Sequence, residues 1–254
     1  METTIISGNL EKSRIYNDRL TRYCGDYYGY FDEGSLKGVA AFYNVGIVIP
    51  HFESPAAAPG FIEIMRRRNF EVVAGMKRVV EPLHRVLAQY KKVSSYEDSW
   101  CLINKGFTPH ILKSSITIVE ARLFDQSAAV SFIVEAYRQG FNRRFNSELA
   151  VKMLADCGPE EDFIFLLDNG VPKAQAIIQV ATRRICQIGG VYTTEECRSK
   201  GYCKALVSEL CHRIYAYGKT PALMVRKDNI PAVKAYQSIG FTYLDDYLVV
   251  KFKI

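Results

Sequence analysis

Apolar and polar residues follow one another in the C-terminal half of the chain in a pattern that predicts a series of strands and helices. A β-branched run over 115–121 predicts a strand, and apolar residues at helical spacing over 125–141 and 148–157 predict two helices. The pattern continues with strands over 163–167, 174–180, 185–194 and 222–225, helices over 200–217 and 231–239, and closing strands over 241–252. This order is typical of a mixed sheet with helices on its faces.

The N-terminal half repeats part of this order. The pattern predicts strands over 29–32, 37–42, 46–49 and 70–74, and helices over 60–69 and 79–90. The strand and helix of 72–90 parallel those of 222–236 in order and length, although hardly any residues are identical, so the repeat is weak. A connector near Thr108-Pro109-His110 separates the halves. We therefore predict two domains, residues 1–110 and residues 111–254.

Two turn signals lie inside these halves. Glu33-Gly-Ser35 separates two predicted strands of the N-terminal half, and Asp168-Asn-Gly170 separates two of the C-terminal half. Both are typical of hairpins, because Gly and Asn accept the left-handed backbone of a tight turn. After Gly170, the sequence Val-Pro is expected to lengthen the second loop.

The composition is that of a globular protein. Of 254 residues, 48% are hydrophobic and 24% are charged, and no apolar run is long enough for a transmembrane helix. The N-terminus lacks the features of a signal peptide, so we expect a cytoplasmic protein that does not bind membranes. Its cysteines should then remain reduced. They stand at 24, 101, 157, 186, 197, 203 and 211 without a Cys-x-x-Cys pair, and the four histidines are scattered, which indicates neither a disulfide framework nor a metal site.

The net charge of +6 arises from 33 basic and 27 acidic residues. This excess is too small to indicate nucleic-acid binding, which usually needs a concentrated basic stripe, but it suits a protein that binds a polyanionic cofactor. The densest basic run, Arg66-Arg67-Arg68, is interpreted as the solvated face of a helix.

The first candidate binding motif is Arg198-Ser199-Lys200-Gly201-Tyr202-Cys203, which stands where a predicted strand leads into a predicted helix. Backbone N–H groups at a helix start attract phosphate oxygens, because they have no partner within the helix and lie at the positive end of its dipole. Gly201 has no Cβ and lets a ligand approach the backbone closely. The motif predicts an anion site, and alone it is a weak signal.

A second motif follows the strand at 222–225. It contains Asn229, Ala232, Tyr236 and Gly240-Phe241. Asp228 or Asn229 can cap the helix that starts here with Pro231 in its first turn, and Gly240 suits its end. Tyr236 taken alone would be interpreted as a half-buried helix residue.

Together the two motifs resemble the GNAT superfamily of N-acetyltransferases over about 185–241, and by element order from residue 116 to the end. The resemblance implies an α/β (α+β) fold of two GNAT-like mixed sheets flanked by helices. In the C-terminal sheet the central strands 185–194 and 222–225 would splay apart around the cofactor. Residues 28–90 are similar, by pattern only, to the N-terminal lobe of two-lobed members, so the first domain would be a degenerate GNAT-like half.

The resemblance also implies a site and a reaction. Acetyl-CoA is the expected cofactor, and an amine of a small molecule or peptide would attack its thioester directly. Tyr236 would be the catalytic acid that protonates the departing sulfur. The residues expected to bind the cofactor are Val191, Tyr192, Thr193, Arg198, Ser199, Lys200, Gly201, Tyr202, Cys203, Lys204 and Asn229.

Two positions depart from the family pattern. Some members carry a Glu general base on the strand before the phosphate loop, where this chain has Gln187, a neutral amide that cannot accept a proton. The base then lies elsewhere, or water relays the proton; the nearby Glu195 and Glu196 are interpreted as solvated. Cys203 replaces the usual Gly or Ala, and it is interpreted as a small apolar filler rather than a reactive thiol.

Three functional hypotheses follow. The leading one is an N-acyltransferase that acts as a monomer or homodimer. The second is a non-catalytic acyl-CoA sensor or partner-binding protein, which the absence of the Glu leaves open. The third is transfer onto tRNA-linked or peptide substrates, for which the chain offers only Arg66–Arg68 and Lys91-Lys92 as basic clusters.

Overall fold

The computed structural model describes residues 2–7, 10–15, 24–106, 116–141, 144–157 and 162–253. Two compact units divide the chain: Met1–Trp100 with Asp245–Ile254, and Cys101–Leu244. The predicted connector at 108–110 lies outside the described residues, and the division into domains 1–110 and 111–254 stays a prediction.

The first unit is built from a mixed sheet and two helices. Its elements are β1 (Glu2–Ser7), β2 (Leu10–Ile15), β3 (Gly25–Asp32), β4 (Ser35–Tyr43), β5 (Ile47–Phe52), α1 (Ala57–Arg67), β6 (Val72–Met76), α2 (Lys77–Leu87) and the first part of β7 (Val93–Asn104). Strands β1 to β5 pair antiparallel in chain order, and β5 pairs parallel with β6. The end of β13 (Phe241–Phe252) pairs antiparallel with β6. The helices bury an apolar stripe that includes Phe61, Met65, Val80 and Leu83.

The arginines of the basic run at the end of α1 form ion pairs and hydrogen bonds with other residues of the first unit. Arg66 and Arg67 both pair with Glu63, which is exposed as the helix-face interpretation predicts. Arg68 donates to the buried carboxylate of Asp26 and to the hydroxyl of Tyr28. Because a buried carboxylate is costly without a cation, Arg68 has a structural role here.

The second unit has the element order that the pattern predicts. Its elements are β8 (Ile116–Glu120), α3 (Gln126–Phe141), α4 (Ser147–Ala155), β9 (Phe163–Asp168), β10 (Val171–Ala181), β11 (Ile185–Thr193), α5 (Tyr202–Ala216), β12 (Thr220–Arg226), α6 (Ile230–Gln237) and the first part of β13. Strands β8 to β11 pair antiparallel in chain order, and β11 pairs parallel with β12. The closing segment 241–252 forms one strand rather than several.

Helices cover both faces of this sheet. Phe163, Phe165 and Leu167 of β9 pack with α3 and α4 in one apolar cluster. Ile164 and Leu166, which alternate with them and so face the other side, are fully buried, and α5 packs against strands β9 to β12. The predicted class, a mixed sheet flanked by helices, is confirmed.

The weak internal repeat corresponds to a shared order of elements. In each unit an antiparallel hairpin leads to a strand, a helix, a parallel strand, a second helix and a long closing strand. The parallel pairs are β5 with β6 and β11 with β12. Hydrophobic periodicity shows this repeat because it records the order of elements, which many different sequences satisfy.

The prediction that Val-Pro lengthens the loop after Gly170 is wrong. Val171 pairs directly with Asp168, so the turn contains only Asn169 and Gly170, whose φ angles are 50° and 78°. Pro172 lies inside β10, and the register with β9 shifts just after it. Because proline lacks an N–H, a strand tolerates it at such an irregularity, and the hairpin stays tight.

No described helix is both long and apolar enough to cross a bilayer. Within the described ranges, no three His, Cys, Asp or Glu side chains are grouped so that they could hold a metal ion. The seven cysteines all lie within the described ranges, and none of them forms a disulfide there.

Candidate functional site

The strands β11 and β12 separate within the second unit. They pair in parallel from Ile185–Thr220 to Ile188–Leu223. Beyond this register, β11 continues to Thr193 and β12 to Arg226. Backbone groups on this part of β11 are thus available to an extended ligand, as at a sheet edge. The separation agrees with the splay that the resemblance implies.

A β-bulge in the pairing of β11 with β10 lies just beyond the point where β11 stops pairing with β12. Gln175 of β10 lies opposite Tyr192, and Ile177 lies opposite Gly189, so β11 has one extra residue between these pairs. Gly190 lies in the bulge with a φ of 57°, and its carbonyl accepts a 3.2 Å hydrogen bond from the Nε2 of buried Gln175. A bulge bends its strand, and this one lies just beyond Ile188, the last residue of β11 that pairs with β12.

The phosphate-loop motif forms an irregular turn before α5. Ser199 has a φ of 64° and Gly201 a φ of 86°, both in the left-handed region. The helix begins at Tyr202, and no side chain caps its N-terminus. The first backbone N–H groups of a helix have no partner within it, so Tyr202, Cys203 and Lys204 present donors at the positive end of α5.

The second motif forms α6 as predicted. Asn229 is the N-cap, and its side-chain oxygen accepts from the N–H of Ala232 at 3.3 Å. Pro231 lies in the first turn, where its missing N–H costs nothing. Gly240 follows the helix with a φ of 95°, and a Cβ there would lie 2.3 Å from the carbonyl oxygen of Gly106. A glycine is therefore required at this helix end, both because the backbone is left-handed and because a Cβ would clash with Gly106.

Both motifs and the end of β11 line one cavity of about 760 Å³. Every residue expected to bind the cofactor lies on its wall except Lys200, and so does Tyr236. Lys200 is exposed, and its Nζ lies 3.9 Å from the Sγ of Cys197. The tertiary structure therefore brings the predicted site residues, which lie between positions 191 and 236 of the chain, to one cavity. Their roles in binding and catalysis stay a prediction.

The cavity wall carries an excess of positive charge. Among its described residues are four basic side chains, those of Arg198, Lys204, Arg226 and Lys234, and one carboxylate, that of Asp228. Asp228 is paired with the Nε of Arg226 at 3.2 Å. Such a wall attracts a polyanion.

Thr193 supplies a polar atom that has no partner. It lines the cavity, and its hydroxyl oxygen is buried without a hydrogen bond among the described residues. A buried hydroxyl without a partner is costly to the fold.

Tyr236 and Cys203 contact each other inside this cavity. Tyr236 is only 7% exposed. Burial, together with a hydrogen bond to the Cys203 thiol, raises the pKa of the Tyr236 phenol well above its ordinary value. Burial also raises the pKa of the Cys203 thiol to about 11. At neutral pH the phenol can donate a proton, while the cysteine is a poor nucleophile because it is not a thiolate.

The carboxylates near the loop do not reach the cavity wall. Glu195 is exposed and lies 3.8 Å from Arg198, and Glu196 is exposed and pairs with Lys173 at 3.3 Å. Neither lines the cavity in the part of the chain that the structure describes. Both positions therefore agree with the interpretation of these residues as solvated.

Sequence reasoning missed several residues of the wall. Arg226 and Lys234 belong to β12 and α6, and no motif marks them as cofactor contacts. Gly140, at the end of α3, also lines the cavity. A Cβ at this position would lie 2.5 Å from the ring of Tyr192, so the close packing here requires glycine. Lys234 lies five residues after the N-cap Asn229 and therefore about 140° around α6 from it, so a helical projection would not have found it. The position of Gly140 depends on a tertiary contact that no local pattern records.

Solved structures that share this architecture include GNAT acetyltransferases. A GNAT-family acetyltransferase from Colwellia psychrerythraea is 13% identical, with 90% of this chain and 86% of that chain covered and a TM-score of 0.60. A Drosophila protein gives a TM-score of 0.69 at 12% identity, covering 94% and 83%. A tandem GNAT protein from the clavulanic acid biosynthesis pathway gives 0.56 at 9% identity, covering 89% and 82%. The chain therefore has the GNAT fold.

The C-terminal part also matches a sequence family. Residues 170–250 match the family model of the FR47-like protein. This segment begins in the β9–β10 turn and contains the phosphate loop and α6. No curated protein matches the chain. The resemblance to the GNAT superfamily is thus confirmed by the fold and by this family model.

Proposed function

We propose that the protein is an N-acyltransferase that transfers an acetyl or other acyl group from acyl-CoA to an amine. One observation carries the proposal: the separated end of β11, the uncapped start of α5 and Tyr236 face one positively charged cavity. An extended amide-containing arm matches the strand edge, and a pyrophosphate matches the helix start. CoA contains both groups in one molecule.

The chain's own groups fit acetyl-CoA. The N–H groups of Tyr202, Cys203 and Lys204 would bind the pyrophosphate, and Arg198 and Lys204 would add charge. The backbone of Val191–Thr193 would pair with the pantetheine amides, as a neighbouring strand does. The cofactor would supply a thioester, which an amine attacks directly.

Direct attack is supported by the state of Cys203. A covalent acyl-cysteine route needs a thiolate, and a thiol with a pKa of about 11 provides almost none at neutral pH. Tyr236, buried and with a raised pKa, would give its proton to the departing sulfur. This division of roles explains why both side chains line the same cavity.

We expect a distinctive pH dependence of the reaction. No carboxylate except the ion-paired Asp228 lines the described cavity wall, and we infer from this that the amine reaches the site already neutral. The logarithm of kcat/KM should rise with pH with a slope of about one until the acceptor's own pKa is reached. It should not fall again below about pH 9.5, because the phenol, whose ordinary pKa is about 10, has a raised pKa.

A series of acceptor amines with different basicity measures this dependence. The rising limb should move with the pKa of each amine. A limb at one fixed pH for every amine would show instead that a protein base controls the rate.

A non-catalytic acyl-CoA sensor is the second candidate, and Gln187 is the observation that favours it. It lies on β11, where it pairs with Val180 and Ala222, at the place where some GNAT enzymes carry a Glu base. A sensor needs the cavity and the cations but not Tyr236.

Calorimetric titration with acetyl-CoA, followed by an assay of free thiol release with panels of amines, amino acids and peptides, separates the candidates. Binding with thiol release supports the acyltransferase. Binding without release across all panels supports the sensor, and no binding contradicts both.

A further inference from the structure

The phosphate loop has an unusual start that something must hold in place. Two of its residues, Ser199 and Gly201, have left-handed backbones, and α5 lacks a side-chain cap. Ser199 pays a steric cost in this region because it has a Cβ. A loop of this kind keeps one shape only where surrounding contacts determine it.

The strongest described contact of the loop is made by Tyr202. This first residue of α5 is only 5% exposed, and its hydroxyl donates to Oδ2 of Asp168 at 2.7 Å. The hydrogen bond to Asp168, with burial, raises the pKa of Tyr202 to about 12. A phenol that donates to a carboxylate forms a charge-assisted bond, which is stronger than a neutral one.

Asp168 is itself firmly placed. It ends β9 and pairs with Val171 across the two-residue turn. Lys173, on β10 of the same β9–β10 hairpin, contacts the residues that precede the loop. Its carbonyl oxygen accepts from the N–H of Thr194 at 2.9 Å, and its Nζ pairs with Glu196. The β9–β10 hairpin therefore contacts the loop both before and after its left-handed residues.

We propose that Asp168 is a positioning residue for acyl-CoA binding, acting through Tyr202 to hold the first turn of α5 in its phosphate-binding orientation. The proposal rests on the proposed function for its ligand. Asp168 does not line the cavity in the described structure. Its effect therefore passes through the phenol and the helix start, and not through contact with the phosphates.

The chain contains a matched control at the opposite end of the same helix. Tyr217, which follows α5, donates from its hydroxyl to Oδ2 of Asp162 at 3.0 Å. This is also a tyrosine–aspartate hydrogen bond, but it lies away from the cavity lining. Comparing Tyr202→Phe with Tyr217→Phe separates loop positioning from a general effect on α5.

The experiment measures CoA affinity by calorimetry in the full chain. We expect Tyr202→Phe and Asp168→Ala each to weaken CoA binding about 5- to 20-fold, which is less than the full strength of a hydrogen bond to a charged group, because the loop keeps its contacts with Lys173. The double variant should be no weaker than the worse single variant, because the two residues act as one unit. Asp168→Asn should fall between Asp168→Ala and the unchanged protein, because its amide oxygen still accepts from the phenol but carries no charge.

Hydrogen exchange of the unliganded protein provides a readout that does not depend on CoA. Amides of 198–204 should exchange faster in Tyr202→Phe and Asp168→Ala, at an intermediate rate in Asp168→Asn, and at the original rate in Tyr217→Phe. Unchanged affinity and unchanged exchange in Tyr202→Phe would overturn the proposal, as would an equal loss of affinity in Tyr217→Phe. If the unchanged protein binds no CoA, the proposed function fails, and the exchange rates alone decide whether Asp168 positions the loop.

Discussion

Replacing Tyr236 by Phe is expected to lower kcat by about 10²- to 10³-fold, while the affinity for CoA stays within about twofold. The ring of Tyr236 remains packed near Phe241, at a centroid distance of 6.1 Å, so the fold of α6 is kept. What is lost is the proton donor, and a general acid contributes on this scale. Thiol release under saturating substrates measures kcat, and calorimetry measures affinity.

Tyr215→Phe is the control for this variant. Tyr215 lies on α5, burial raises its pKa, and its hydroxyl donates to the carbonyl oxygen of Asn104 at 3.0 Å. It does not belong to the described cavity lining, so its loss should leave kcat almost unchanged. Turnover that survives in Tyr236→Phe at the original rate would show that another group, or water, protonates the sulfur.

Replacing Gly201 by Val is expected to weaken CoA binding by at least about 30-fold. Gly201 has a φ of 86° directly before α5. A left-handed backbone costs a residue with a Cβ about 1–2 kcal/mol, and a β-branched side chain is less tolerant still. The loop would turn away from this conformation, and the new side chain would occupy the space where phosphates approach the backbone.

Gly218→Val tests whether backbone strain alone explains such a loss. Gly218 has a φ of 68°, and a Cβ there meets no atom within 4 Å. It follows the opposite end of α5, so it carries a similar backbone penalty without touching the cavity. The melting temperature should fall in both variants, whereas CoA affinity should fall only in Gly201→Val. Equal affinities in the two variants would contradict the phosphate-binding role of the loop.

Much of the second unit could be predicted, because local rules govern its elements. The strand and helix periods of 163–252 follow from which residues must face the core. The cap at Asn229 and the stop at Gly240 follow from the chemistry of helix ends. The two-residue turn at Asn169-Gly170 could not be predicted from the Val-Pro that follows it, because a register shift accommodates Pro172 inside β10.

The site was predicted less completely than the fold. Lys200 was included because it stands in the motif, yet the left-handed backbones on either side of it leave it off the cavity wall. Arg226 and Lys234 were missed, because they carry no motif and reach the cavity only through the packing of β12 and α6. Asp168 was seen as a turn residue, and its bond to Tyr202 spans 34 positions of the chain.

The sequence by itself determined the order of the elements, the two glycines that the loop and the helix end require, and the pair of motifs that indicates acyl-CoA. These depend on interactions between near neighbours, which periodicity and turn chemistry record. Only the tertiary structure decided where β11 and β12 separate, that Tyr236 and Cys203 contact each other, and that Asp168 accepts a hydrogen bond from Tyr202. Each of these depends on groups far apart in the chain, whose approach is set by how whole strands and helices pack.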